Sequence, residues 1–197
     1  MKIQALNKIE KPYFDCGDIA KALGITPGSA RVSANRYASQ GFIMRVKRGI
    51  YVLSQRWYSA NQEEKFLIAN IAQVPSYVSL MTALEYYGIT TQMQRGFIES
   101  VCQKRSREFT VWETVLRYTK IVKKLYFGFM RGKGFFIASA EKAFLDAAYL
   151  ASLGRYSFDI TSIDLSKLDK KKLEVLARAF PKRTRRFLES YGCFRKA

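Results

Sequence analysis

The chain has 197 residues, of which 48% are hydrophobic and 14% aromatic, and this composition is typical of a globular protein rather than a disordered one. It carries 34 Lys and Arg against 16 Asp and Glu, and the net charge of +18 indicates an anionic partner: nucleic acid, an acidic protein or a negatively charged membrane surface. Because the sequence contains no histidine, it excludes Ser–His and Cys–His nucleophilic catalysis and metal sites built on histidine.

The cysteines and the first residues favour a reducing, cytoplasmic environment. Cys16, Cys102 and Cys193 are far apart in sequence, which fits neither a disulfide framework nor a cysteine zinc site. Charged residues within 1–12 exclude the apolar core of a signal peptide, and no run approaches the roughly 20 apolar residues of a membrane span. We therefore expect a cytoplasmic protein that binds no membrane, metal or cofactor.

The first elements lead into a helix-turn-helix pattern. Apolar residues spaced by three predict a short first helix before Pro12, and residues 13–14 predict a small strand. Apolar residues at i, i+3 and i+4 predict a helix over 18–23, which Gly24 ends by adopting a positive φ. A second helix begins after the N-cap Thr26 and ends at Gly41.

A β-hairpin follows this helix pair. Residues 42–47 and 50–53 alternate like strands on either side of Arg48 and Gly49, which form the turn. Helix, turn, helix and hairpin together predict a winged helix-turn-helix DNA-binding domain over residues 1–57. In such a domain the second helix enters the major groove of the duplex.

The second helix separates a small apolar face from a polar one. Ala34 marks the buried direction, with Ala30, Tyr37 and Ala38 beside it, and the small alanines permit close approach of the preceding helix. Arg can pair with guanine, Asn with adenine, and Ser with base edges or phosphate. Thr26, Pro27 and Gly28 are expected to present helix-start N–H groups to a phosphate. The predicted DNA-contacting residues of this helix and its cap are Thr26, Pro27, Gly28, Ser29, Arg31, Ser33, Asn35 and Arg36.

The hairpin adds three cations to this candidate surface. Arg45, Lys47 and Arg48 come just before Gly49, and such a basic loop can lie along phosphates or enter the minor groove. The alternative is a charged hairpin tip that only keeps a sheet edge soluble. Lys21 and Arg56 can add further phosphate contacts.

The remaining residues, 58–197, predict a mixed α+β domain that begins after a boundary within 56–61. Cap residues, glycines and prolines delimit its helices, and β-branched and aromatic residues mark its strands. The helices are predicted over 62–73, 80–87, 140–153 and 170–180, and the strands over 97–102, 108–112, 116–122 and 126–130.

This second domain also carries two basic clusters. They are able to extend a DNA footprint or to face an acidic partner protein, although a solvated charged face is the default interpretation. The clusters are Lys104, Arg105 and Arg107, and the C-terminal Lys182, Arg183, Arg185 and Arg186.

An enzymatic function would have to use carboxylates and lysine. Glu141 and Asp146 lie five residues apart on one helix, so they point in different directions and lack the spacing of a nuclease metal site. Helix capping by Glu141 and an internal pair between Lys142 and a carboxylate explain these residues more simply. We therefore expect no enzymatic activity, and we expect Cys102 to lie in the core.

Three segments in this order resemble a known family. They are the hairpin signature from Gly41-Phe42 to Arg48-Gly49-Ile50-Tyr51, the segment Ser79-Leu80-Met81-Thr82-Ala83-Leu84-Glu85-Tyr86-Tyr87-Gly88-Ile89, and Ala138-Ser139-Ala140-Glu141-Lys142-Ala143-Phe144-Leu145-Asp146. Together they are similar to the AbiEi-type antitoxins of type IV toxin–antitoxin, or abortive infection, systems. The resemblance runs from about Asp18 to Leu150, and it departs at Tyr87, where histidine is common, and at Ala140, where proline is common.

The resemblance implies a winged-helix repressor that binds inverted repeats upstream of its own operon. It also implies that the α+β domain counteracts a nucleotidyltransferase-like toxin without forming a stable complex with it. Two alternatives stay open at this point: a basic protein-interaction module that neutralises a toxin directly, and a nucleic-acid-processing enzyme.

Overall fold

A computed structural model describes residues 2–191, and these residues form a mixed α+β fold. A two-stranded antiparallel hairpin follows the first helices, and a six-stranded mixed sheet follows the hairpin. The helices are α1 (Cys16–Leu23), α2 (Pro27–Ser39), α3 (Ser54–Ser59), α4 (Gln62–Ala72), α5 (Leu80–Tyr86), α6 (Ala140–Ser152), α7 (Lys170–Ala177) and α8 (Lys182–Ser190). The strands are β1 (Ile43–Lys47), β2 (Ile50–Leu53), β3 (Ser76–Val78), β4 (Phe97–Cys102), β5 (Arg107–Val111), β6 (Thr114–Lys120), β7 (Phe129–Arg131) and β8 (Phe136–Ala138).

The first helix pair forms as its end signals predict, with one shift. Asp15 caps α1 through a capping box with Asp18, so α1 begins at Cys16, two residues before the predicted start. Gly24 ends α1 with a φ of 63°, as predicted. The side chain of Thr26 caps α2, as predicted.

The residues before α1 form a 3-10 helix over Lys2–Lys8, so the predicted first helix exists but is not an α-helix. The predicted strand at 13–14 is reduced to one antiparallel bridge between Phe14 and Tyr51. Both elements contribute to a small hydrophobic cluster with α1 and α2, in which Leu6, Ile19 and Ala34 are fully buried.

The hairpin of β1 and β2 has two buried faces. Ile43 and Tyr51 point into the small cluster with α1 and α2. Met44 and Val52 point the other way, into the large cluster formed by the rest of the chain. Because successive residues of a strand face opposite sides, a single hairpin closes both cores.

The six strands of the large sheet have the order β5-β6-β4-β3-β8-β7. Neighbours are antiparallel except for β6 with β4 and β3 with β8, which are parallel. The helix α6 is buried along nearly its whole length and packs against α5, α7 and α8. The side chain of Ser139 caps α6, as predicted.

Three features of this region differ from the sequence predictions. The strands β3 and β8 were not predicted, since each has only three residues and offers no alternation to recognise. Residues predicted as a strand over 126–130 begin after a 3-10 helix, and only Phe129–Arg131 pair. The basic C-terminal segment is itself a helix, α8. Cys193 lies outside the described residues.

The boundary predicted within 56–61 stays a prediction. The helix α3 spans Ser54–Ser59, and Trp57 packs into the large cluster at 4% exposure. Residues on both sides of the predicted boundary therefore share one core.

Candidate nucleic-acid interface

The position of α2 follows from its smallest side chains. Ala30 and Ala34 have no exposed surface, and with Tyr37 they form the buried face of the helix against α1 and β1, as predicted. Alanine at these positions lets two helices approach closely, because it adds no bulk between their backbones. The opposite face of α2 is therefore held outward by a packed core.

The outward face carries the polar residues that the sequence indicates. Ser33 is half-buried, and Arg36 stacks over the ring of Tyr37 with 5.2 Å between its guanidinium carbon and the ring centroid. The exposed predicted contacts in α2 and its cap are Thr26, Pro27, Gly28, Ser29, Arg31, Asn35 and Arg36.

A cleft of about 450 Å³ brings α2 and the hairpin together. Arg31 and Asn35 line it from α2, and Arg45 and Arg48 line it from the hairpin. None of these three arginines has a carboxylate within ion-pair distance in residues 2–191. Asp15 lines the same cleft, but its side chain caps α1. The cleft is consequently a concave surface with an excess of positive charge.

The start of α2 offers a phosphate fewer free N–H groups than predicted. Proline has no N–H, so Pro27 cannot donate to a phosphate, and that part of the prediction is wrong. The N–H of Ser29 already donates to Oγ1 of Thr26 over 3.3 Å. Gly28, the second residue of α2, is exposed and retains its N–H.

Lys47 departs from the prediction that it joins Arg45 and Arg48. Residues Arg45 and Tyr51 pair across the hairpin, and so do Lys47 and Ile50, which leaves Val46 as an extra residue on β1. A bulge of one residue reverses the faces of all residues beyond it. Lys47 therefore points away from the α2 cleft, and its Nζ donates to the carbonyl of Ile71 at the end of α4 over 2.6 Å.

The first basic cluster of the second domain lies beside this lysine. Burial, followed by the positive charges of Lys104 and Arg107, lowers the pKa of Lys47. Lys104 and Arg105 are exposed, and Arg107 is half-buried with its guanidinium over the ring of Phe109. The structure therefore places Lys47 next to Lys104 and Arg107, and not next to Arg45 and Arg48 as predicted.

The second basic cluster lies on α8. Thr184 and Leu188 are buried against the protein, and this anchors the helix. The cationic side chains stay outside, with Lys182, Arg183 and Arg186 exposed and Arg185 half-buried. This cluster belongs to a different part of the surface from the α2 cleft, since none of its residues lines that cleft.

The group considered for catalysis is enclosed. Lys142 and Asp146 have no exposed surface and form an ion pair through Nζ and Oδ1. Burial lowers the pKa of Lys142 and raises the pKa of Asp146. The hydroxyls of Tyr77 and Ser79 donate to Oδ2 of Asp146 over 3.0 and 2.9 Å. Every polar atom of the pair is therefore occupied inside the core, and the predicted internal Lys–carboxylate pair is present.

Val32 was not predicted as a contact, and Arg56 has partners that the sequence does not indicate. Val32 is 69% exposed in the middle of the polar face of α2, where an apolar side chain can contact a thymine methyl group. Arg56, also expected as a phosphate contact, instead donates to the backbone carbonyls of Ile9, Glu10 and Lys11. An apolar residue outside the buried stripe was the signal for Val32, whereas nothing local in the sequence reveals the carbonyl partners of Arg56.

Two further observations concern metal ions and membranes. Within residues 2–191, no cluster of three or more His, Cys, Asp or Glu side chains is arranged to hold a metal ion. No helix in the same range has the length and apolar character needed to cross a membrane.

Comparison with known proteins finds similarity in structure but not in sequence. No family model matches the sequence. No curated protein matches it either. The structure is similar to the crystal structure of the RV2827C protein from Mycobacterium tuberculosis, with a TM-score of 0.59 over 96% of this chain and 75% of that chain. The sequence identity is 11%, so the likeness concerns the fold alone.

Proposed function

We propose that this protein is a sequence-specific DNA-binding regulator with an N-terminal winged helix-turn-helix. In this proposal α2 is the recognition helix, β1 and β2 are the wing, and the polar face of α2 enters the major groove. The observation that carries the proposal is the shared cleft, in which Arg31 and Asn35 of α2 converge with Arg45 and Arg48 of the hairpin.

The chemistry of that surface suits a duplex. Arg31 and Asn35 are side chains that pair with guanine and adenine edges, and the exposed Val32 offers an apolar contact for thymine. Arg45 and Arg48 would hold the flanking backbone as phosphate contacts. Ser29 and Arg36 add exposed groups on the adjoining side of the helix. Buried Ala30 and Ala34 fix the direction of the helix, so its contacts with DNA are preorganised.

The resemblance to AbiEi-type antitoxins extends this proposal. It supports a repressor of its own operon, acting on inverted repeats, and a second domain that counteracts a nucleotidyltransferase-like toxin. The enclosure of Lys142 and Asp146 supports a structural use of that pair rather than catalysis. Cytoplasmic localisation is part of the same proposal.

A gel-shift titration tests the function directly. The probe is the DNA upstream of the protein's own gene, measured at two salt concentrations against an unrelated duplex of equal length. With four to six phosphate contacts, log K should fall with log salt at a slope of roughly −4 to −5. Arg36→Ala should weaken specific binding by about 1–3 kcal/mol if this side chain contacts a base. Equal affinity for both duplexes, or a slope near zero, contradicts the proposal.

The control variant is Lys170→Ala. Lys170 is an exposed cation at the start of α7 and forms no ion pair in residues 2–191, so its removal matches the charge change of Arg36→Ala. Both variants should keep the wild-type fold, and only Arg36→Ala should lose affinity for the specific duplex.

A further inference from the structure

A second concentration of positive charge lies where the hairpin meets the six-stranded sheet. Lys47 approaches from β1, Lys104 from the turn between β4 and β5, and Arg107 from the start of β5. We call these three residues the hairpin–sheet cluster. They come together because β1 packs beside β5.

The end of α4 holds both segments in place. The carbonyl of Ile71 accepts from Nζ of Lys47 over 2.6 Å. Two residues later, Nε2 of Gln73 donates to the carbonyl of Arg105 over 3.0 Å. Sγ of Cys102 lies 3.7 Å from the carbonyls of Lys104 and Arg105. The turn is thus fixed through its backbone, which leaves the side chains of Lys104 and Arg105 free to point outward.

No carboxylate of the described residues neutralises the positive charge of this cluster. None of its three members has a carboxylate within ion-pair distance in the described part of the chain. Nε of Arg107 is buried and has no hydrogen-bond acceptor among residues 2–191. The lowered pKa of Lys47, caused by burial and by its two cationic neighbours, reports the same imbalance. Like charges gathered in this way repel one another, and an anion bound among them offsets that repulsion.

The bulge at Val46 places this cluster on the far face of the hairpin. Arg45, before the bulge, lines the α2 cleft, whereas Lys47, after it, faces the sheet. The hairpin therefore has cations on both faces, and it stands between the α2 cleft and the hairpin–sheet cluster.

We propose that the hairpin–sheet cluster binds a backbone phosphate of the same duplex that α2 reads. The second domain then contacts DNA on the hairpin's flank, and Lys47, Lys104 and Arg107 hold the phosphate without contacting bases. This inference rests on the proposed DNA-binding function, but it can fail while that function stands.

Salt titration and footprinting of the full chain test this site. The probes are duplexes that the wild-type protein enriches from a random library, together with a scrambled duplex of the same length. Lys104→Ala and Arg107→Ala should each make the salt slope less negative by about 1, as expected for one lost phosphate contact. Hydroxyl-radical protection should disappear on the flank next to the hairpin. The ratio of affinities for enriched and scrambled duplexes should stay at the wild-type value, because no base contact is lost.

Lys170→Ala is the matched control and should leave slope and protection unchanged. Arg107 stacks on Phe109, so its replacement can affect folding. Lys104 is exposed, and its variant keeps the test valid if thermal melts of the two chains coincide.

The outcomes separate the two proposals. If the wild type enriches duplexes and both variants keep its slope and protection, the second domain makes no phosphate contact here and this inference is overturned alone. If inorganic phosphate stabilises the wild type but not Lys104→Ala while the slopes stay equal, the cluster is a site for the free ion, and the DNA assignment is again overturned. If the wild type enriches no duplex, both proposals fail.

Discussion

Replacing Asp146 by alanine should strongly destabilise the protein. The side chains of Lys142 and Asp146 have no exposed surface, so the mutation leaves a lysine ammonium in the core without its carboxylate. Only the hydroxyl of Tyr77, 2.8 Å from Nζ, and the faces of three aromatic rings about it would remain. Removing one partner of a buried ion pair typically costs about 3–5 kcal/mol. The free energy of unfolding of a typical domain is about 5–15 kcal/mol, so this is a large part of it.

The opposite single change should cost less. Lys142→Met keeps most of the side chain's length, so the stem still packs against Gly128, where an added Cβ would lie only 3.0 Å from Cγ of Lys142. Asp146 would keep donors from Tyr77 and Ser79, and burial already raises its pKa, so it can take up a proton. We expect about 1–3 kcal/mol for this variant.

The double variant Lys142→Met/Asp146→Leu should cost clearly less than the sum of the two single changes, because both charges leave the core together and what remains is the loss of an acceptor for the hydroxyls of Tyr77 and Ser79. Urea unfolding followed by tryptophan fluorescence measures all three, since Trp57 is buried in the large cluster. The reasoning is refuted if Asp146→Ala costs less than about 1 kcal/mol, or if the double variant costs the sum of the singles. A double variant that folds normally but loses a biological activity would show that the pair serves more than the core.

Three further predictions concern the helix pair and its anchors. Thr26→Ala should cost about 1 kcal/mol in urea unfolding because Ser29 loses its cap, whereas Thr26→Ser should stay near the wild type. The hydrogen bond from Lys11 lowers the pKa of Asp18, so the carboxylate's stabilising contribution is complete above the ordinary value of 3.8 and is lost as pH falls through the lower folded value. The acid-side slope of unfolding free energy against pH should therefore be shallower in Asp18→Asn, and identical slopes would contradict this. Arg56→Met removes the donor to the carbonyls of Ile9, Glu10 and Lys11, so amides in residues 2–11 should exchange hydrogen faster, and unchanged exchange would contradict the anchoring role.

Local signals made the helix pair and the hairpin predictable. Gly24 adopts the positive φ that its position after an apolar stripe indicates, and Thr26 with Pro27 starts α2 as such a pair does elsewhere. The buried face of α2 followed from helical spacing alone, since Ala30 and Ala34 repeat every four residues. These features depend on neighbours in the chain, and sequence contains that information.

The candidate site was only partly predictable because one residue changes the geometry of the hairpin. Plain alternation puts Arg45 and Lys47 on the same face, but the extra residue Val46 turns Lys47 to the sheet. Its neighbours there are Lys104, from the turn before β5, and Arg107, from β5 itself, about 60 residues further along the chain, and no local pattern indicates that contact. The short strands β3 and β8 form for the same kind of reason, since pairing partners distant in sequence define them.

The most direct test of the account is protection of guanine N7 by the bound protein. Dimethyl sulfate methylates N7 in the major groove, so a helix seated there blocks the reaction at the bases it covers. In a complex of the full chain with an enriched duplex, we expect protected guanines that become reactive in Arg31→Ala but stay protected in Lys170→Ala. Specific binding that leaves every guanine N7 as reactive as in free DNA would contradict the placement of α2 in the major groove.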